Sequence, residues 1–186
     1  NCFKKEQMEL LEFATEMFKE YAGRLYGYLD GLTEDELNWH PNAETNSIAF
    51  IMWHTARVED RWFQIFCQDK PDLWTSGRWF EKLGMDENQS AVGLTADDLA
   101  SFPHLTMENL KSFFEAVRAE TRTYLSSIGP DDLEASPGRS PFGGSAANNR
   151  FAQFTIQRMF RQLIQEEIQH LGQIGMLRGL QRGMDK

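Results

Sequence analysis

Residues 47–68 read SIAFIMWHTARVEDRWFQIFCQ. Ile48, Phe50, Ile51, Met52, Trp53, Val58, Trp62, Phe63, Ile65 and Phe66 make this stretch strongly apolar, and Asn46 or Ser47 stands where a helix cap belongs. The spacing predicts a helix over about 47–68. A helix apolar on so many sides lies in a core or a subunit interface.

Three more long helices follow from the same reading. Phe3, Leu10, Phe13, Met17, Tyr21, Leu25, Tyr28 and Leu29 recur at steps of three and four, which predicts an amphipathic helix over about 3–30, stopped at Gly31. A third helix, about 107–128, is capped by Thr106 and ends before Gly129-Pro130. A fourth runs from about 149 to 181. Thr33-Glu34-Asp35-Glu36 has the form of a capping box, and Thr95-Ala96-Asp97-Asp98 also opens a short helix. Residues 129–149 hold three prolines and four glycines and read as a loop of functional length. Strand-like alternation, internal repeats and glycine-rich phosphate loops are absent, so an all-α four-helix bundle is the expected architecture.

The length of 186 residues suits one domain with a core of its own. A net charge of −9 disfavours phosphate backbones and anionic lipid, so neither nucleic acid nor membrane is an expected partner. Two cysteines, Cys2 and Cys67, make no disulfide framework. The residues from Asn1 onward show no basic-then-apolar leader, and the expected location is cytoplasmic.

Four histidines are present, at positions 40, 54, 104 and 170. His54 falls on one stripe with Phe50, Ile51 and Val58. His170 lies about 50° from the centre of the Ile156, Phe160, Leu163, Leu171, Ile174 stripe. Two inward histidines on different helices of one bundle can face each other. A catalytic zinc site takes three protein ligands and keeps a position open, so an acid is also needed. Glu166 is one turn before His170 on the same face. Glu167, at i−3, also reaches, and its wheel angle points nearer the core centre. Spacing alone leaves both open. Glu167-x-x-His170 matches half of a di-iron signature, but Leu37, Ile51 and Ser101 stand three residues before the other histidines, which leaves a mononuclear site. Cys67 is too far along its helix from His54 to join it and reads as a buried or interfacial thiol. His40 and His104, each beside a proline, read as turn or loop residues. Arg61, two turns after His54, is a candidate to hold a substrate carboxylate, although a salt bridge to another helix is its commoner use.

The residues Leu32-Thr33-Glu34-Asp35-Glu36-Leu37-Asn38, then Asn46-Ser47-Ile48 leading into Trp53-His54, resemble the start of the DinB/YfiT-like family of metalloenzymes. Leu73-Trp74, Trp79-Phe80-Glu81-Lys82-Leu83-Gly84 and Gly93-Leu94-Thr95 are similar to its DinB-like subgroup. Glu166-x-x-x-His170-Leu171-Gly172-Gln173-Ile174 looks like its last-helix motif. The resemblance implies an up-down-down-up bundle, often dimeric. It also implies one divalent metal, held by a second-helix histidine and two last-helix residues four apart. Many members have His-x-x-x-His there. Glu166 in the first position resembles the mycothiol-dependent maleylpyruvate isomerase branch. The resemblance thus implies His54, Glu166 and His170 as ligands, over the wheel's preference for Glu167.

Zinc suits this donor set best, with nickel, iron or manganese as alternatives. The resemblance implies a metal-dependent enzyme acting on a small molecule, with a low-molecular-weight thiol as cofactor in a transfer or isomerisation. Arg61, Glu167 and Gln173 are the candidate assisting residues, and Gln162 and Gln173 flank the ligands. Two alternatives stand beside it. One is metal-dependent hydrolysis, for which Glu167 is the local candidate base. The other is a non-catalytic dimeric helical module with an incidental metal.

Overall fold

Local sequence signals set the helix starts. Thr33 accepts from the Glu36 N–H while Glu36 reaches back to the Thr33 N–H, and Thr95 and Asp98 repeat this box. Ser47, rather than Asn46, caps the second long helix by accepting from the Phe50 N–H at 3.1 Å. Thr106 and Thr155 cap the last two long helices in the same way. The computed structural model describes residues 2–90, 93, 95–142 and 150–183. Leu94 and the 143–149 part of the expected loop lie outside the described residues, as does the side chain of Phe3.

The helices are α1 (Cys2–Leu29), α2 (Glu34–Asn38), α3 (Ile48–Asp60), α4 (Leu73–Ser76), α5 (Trp79–Lys82), α6 (Ala96–Ala100), α7 (Met107–Ser127) and α8 (Ile156–Arg182). No strand occurs among the described residues, and the fold is all-α as expected. Two boundaries differ from expectation. The second long helix does not stay α-helical to residue 68: from Arg61 to Cys67 it widens to a π-helix. The last long helix begins at Ile156, not near 149. A 3₁₀ turn, Arg150–Gln153, precedes it, and Thr155 is the cap.

Four long helices pack side by side: α3 against α7 and α8, and α1 against α8 and α7. Met17 and Tyr21 share a groove with Ile164 and Ile168, while Arg178 donates to the Tyr28 and Asp30 carbonyls. These contacts run α1 and α8 the same way. Ile51 lies near Gln173 and Leu177, and Val58 near Gln162, so α3 runs opposite to α8. On α7, Tyr26 meets Glu115, and Phe18 meets Arg118. Thr121 meets Glu59, and Tyr124 meets Phe63, so α7 runs with α3 and against α1.

Every residue of α3 from Ile48 to Asp60 is buried by this chain alone. Its apolar faces are therefore spent on the core and supply no argument for a subunit interface. On α1 the buried stripe is Gln7, Leu11, Ala14, Phe18, Tyr21, Leu25 and Leu29. Phe13, expected inside, is 57% exposed, and Tyr28 is 38% exposed. In its first half the helix is turned by about one residue, 100°, from the expected face. Packing decides this: Phe18 sits edge-on to Phe63 and Phe160, at 5.6 and 6.2 Å between ring centres.

The core has two apolar parts. One surrounds Leu25, Trp53, Trp74, Phe113 and Phe114; the other surrounds Phe18, Trp62, Phe63 and Phe160. Between them lies a polar layer. Arg118 on α7 donates to the Phe18 carbonyl on α1 at 3.0 Å and to Glu167 on α8, and its Nε lies 3.1 Å from Glu59 Oε2 on α3. One buried guanidinium thus joins all four long helices. A second polar knot fastens the 69–105 connection to α3. Asp60 accepts from the Leu73 and Trp74 N–H groups at 2.9 and 3.0 Å, and Arg57 donates to Asp72 at 2.9 Å.

Candidate metal centre

The antiparallel run of α3 against α8 brings His54 opposite Glu166 and His170. Ser47 starts α3 at a fixed residue, and seven residues later the His54 ring emerges on the α8 side. Phe50, one turn earlier, stacks on it at 6.1 Å and 15°. His54 Nε2 lies 3.3 Å from Glu166 Oε1, and His170 Nε2 lies 3.3 Å from the same oxygen. One ligand atom from each of the three residues lies within 4.8 Å of the others. No other such group of three occurs among the described residues.

The donor set fits a divalent cation. Bonds of about 2.0–2.1 Å at tetrahedral angles put neighbouring ligand atoms about 3.3 Å apart, which is the spacing of both imidazole nitrogens from Glu166 Oε1. The proton arrangement points the same way. Gln173 Oε1 lies 2.8 Å from His170 Nδ1. An amide oxygen only accepts, so Nδ1 carries the proton and donates. In the neutral ring the Nε2 lone pair then faces a carboxylate oxygen, and a cation between them makes that approach attractive. Without an ion, the His170 and His54 imidazoles, which donate to it when protonated, hold the Glu166 carboxyl down at about 2. It is a carboxylate at neutral pH, ready to ligate.

Glu167 goes elsewhere. It is buried, held by Arg118, and sits beside Glu59. Burial pushes its carboxyl well above the ordinary carboxylate range against the pull of Arg118, and the Glu59 charge adds to the push. The wheel placed Glu167 at the core centre, and there it is; being central takes it away from His54. Arg61 faces the Pro141–Phe142 segment rather than an acid on another long helix. Its Nε donates to the Pro141 carbonyl at 2.8 Å, and its guanidinium lies 5.6 Å from the centre of the Phe142 ring. Gln173 orients His170. Gln162 faces a cavity of about 380 Å³ that Glu166 also lines, with Val58 and Trp62 along α3 and its π-helical extension. His40 lines its turn as expected, its Nδ1 being 2.7 Å from the Thr45 carbonyl oxygen, and His104 lies in a loop. Cys67 is a free thiol, largely buried.

Sequence reasoning missed Arg118, whose partners lie 49 and more residues away in the chain. It also missed Phe142, Arg150 and Phe151, which close the cavity. The available signal was aromatic residues within a loop otherwise made of small and polar ones.

A DinB superfamily model matches residues 17–174, a span that contains His54, Glu166 and His170. The chain belongs to the DinB superfamily. A solved structure, that of a conserved protein from Enterococcus faecalis, is similar to this DinB chain with a TM-score of 0.76 at 24% identity. The similarity covers 91% of this chain and 95% of that one, and it shows a shared fold. No match was found among curated proteins. No helix of the DinB chain among the described residues is long and apolar enough to cross a membrane.

Proposed function

We propose that this DinB-superfamily chain is a metalloenzyme that holds one divalent ion, zinc by preference, between His54 Nε2, Glu166 and His170 Nε2. The observation that carries this reading is the convergence of those three donors, from two antiparallel helices, on one point beside a cavity. Nickel, iron and manganese accept the same donors. Three protein ligands leave a position open, unlike a structural zinc site, which is closed by four. A bound ion of this kind lowers the pKa of a coordinated water or thiol to near neutrality.

The protein's own groups support transfer or isomerisation with a small thiol as cofactor over hydrolysis. Hydrolysis needs a base within reach of the open position. Glu167, the candidate, is bound by Arg118. A thiolate held at the open position needs no such base once formed. Gln173 keeps the His170 Nε2 lone pair directed at the site, and Glu166 keeps the site anionic. For the assembly, the exposed Phe13, Ile168, Met176 and Leu180 on α1 and α8 support a homodimer through that pair rather than through α3. A cytoplasmic setting, where thiols stay reduced, suits the chemistry.

The test is metal content in protein purified without an affinity tag. Near one ion per chain is expected in the wild type and in Glu167→Gln, with loss in His54→Ala, Glu166→Gln and His170→Ala. Cobalt-loaded protein titrated with cysteine should then develop a sulfur-to-cobalt charge-transfer band. A wild type that takes up no metal overturns the metalloenzyme reading. Loading without that band overturns the thiol part alone.

A further inference from the structure

The cavity beside Glu166 has a composition of its own. Trp62, Phe142 and Phe151 form a closed aromatic triangle, with ring centres 6.1 Å apart for Trp62–Phe142, 5.3 Å for Trp62–Phe151 and 5.6 Å for Phe142–Phe151. All three pairs meet edge to face. Arg61 braces this wall by its bond to the Pro141 carbonyl. Trp62 reaches the cavity from the start of the π-helical stretch Arg61–Cys67, a kind of insertion frequent at functional sites.

Arg150 lines the same cavity. Its guanidinium lies 4.7 Å from the centre of the Phe151 ring. No carboxylate among the described residues pairs with it, although the chain carries 28 acidic residues. An arginine stacked on an aromatic face keeps its planar fork of N–H donors available, and that fork matches a carboxylate. Gln162 adds an amide, and Glu166 lies at the metal side. A volume of about 380 Å³ is the size of a pocket for a small organic molecule.

We infer that this cavity binds a small, planar, unsaturated or aromatic carboxylic acid, with its body against Trp62, Phe142 and Phe151 and its carboxylate on Arg150. The end of the acid remote from the carboxylate points to Glu166. That last orientation rests on the proposed metal centre; recognition of the acid by Arg150 does not. Arg150 is thus a specificity-determining residue, choosing anions in a chain whose net charge would otherwise repel them.

The test uses trans-cinnamate and its neutral isostere trans-cinnamamide, titrated calorimetrically into chelator-treated protein. Wild type should bind the acid about tenfold or more tightly than the amide, the loss typical of one charge-assisted contact. Arg150→Gln should abolish that preference and leave amide binding within about twofold. Arg150→Lys, which keeps the charge but not the fork, should retain only part of it. Equal binding of acid and amide, a preference that survives Arg150→Gln, or no saturable binding at about 10 mM each overturns the inference. Repeating the titration with zinc-loaded protein separates the two readings. Acid binding that needs zinc and ignores Arg150→Gln places the carboxylate on the ion, so the inference fails and the metal centre stands. Acid preference through Arg150 in a protein that never loads metal gives the reverse.

Discussion

Glu166 and Glu167 are neighbours on α8 with opposite surroundings: Glu166 faces two imidazole nitrogens at 3.3 Å each, and Glu167 is buried on the Arg118 guanidinium. Neighbours on a helix point about 100° apart. One turn of α8 therefore serves both the site and the polar layer of the core. The Arg118–Glu167 pair sets the rotation of α8, and so it determines which carboxylate His54 meets.

Removing Arg118 should be costly. Arg118→Met leaves Glu59 and Glu167 buried without a counter-charge, a change worth about 3–5 kcal/mol. Adding Glu59→Gln and Glu167→Gln should recover the larger part, because the lost stability is mainly the penalty of orphaned charge. Urea unfolding of the single and triple variants checks this. A single variant within about 1 kcal/mol of wild type would show that the three groups are not coupled as described.

Gln173 should matter to metal and not to folding. It is exposed and touches the site only through His170 Nδ1. Gln173→Leu releases the ring tautomer and should lower zinc affinity by roughly 10- to 100-fold. Stability of the metal-free protein should stay within about 0.5 kcal/mol. Competition with a chromophoric chelator measures the first quantity and thermal unfolding the second.

Cys67 should be slow to alkylate in the native state. Burial pushes its thiol up to about 12, against smaller pulls from Tyr124 and Arg139. The reactive species is the thiolate, so at pH 8 its rate should fall roughly a thousandfold below that of the unfolded chain. Iodoacetamide labelling of the Cys67 peptide, followed by mass spectrometry with and without denaturant, gives the ratio. Ready labelling of native protein would mean that the α7 end of the core opens.

Acid should loosen the far end of α8. Hydrogen bonding to Arg182, with help from the Thr33 N–H, holds the Glu36 carboxyl at about 2 against an ordinary 4.5. A depressed carboxyl contributes stability above its ordinary value and loses it as pH falls toward the folded one. The contribution of this pair is therefore whole above pH 4.5 and disappears toward about 2. Glu36→Gln should show a shallower loss of urea midpoint across that window than wild type does. Identical slopes would mean that the α2–α8 tie contributes nothing to folding.

Local chemistry, readable in one dimension, accounts for most of the architecture. A Ser or Thr hydroxyl three residues ahead of an orphan N–H starts a helix wherever it occurs, and Gly129-Pro130 stops one. The four long helices, the capping residues Thr33, Thr95 and Thr106, a cap at Asn46 or Ser47, and the pairing of His54 with an acid and His170 on the last helix follow from that and from a period of 3.6. Three things depended on residues distant in the chain. The first is the rotation of α1, where Leu10 and Leu11, or Met17 and Phe18, are equally apolar and only Phe63 and Phe160 choose between them. The second is the choice between Glu166 and Glu167, which Arg118 makes. The third is the cavity, whose walls come from the π-helical end of α3 and from the segments at Phe142 and Arg150–Phe151. Periodicity gives a helix a face only to within about one residue, and the energy that selects within that margin comes from partners supplied by other helices.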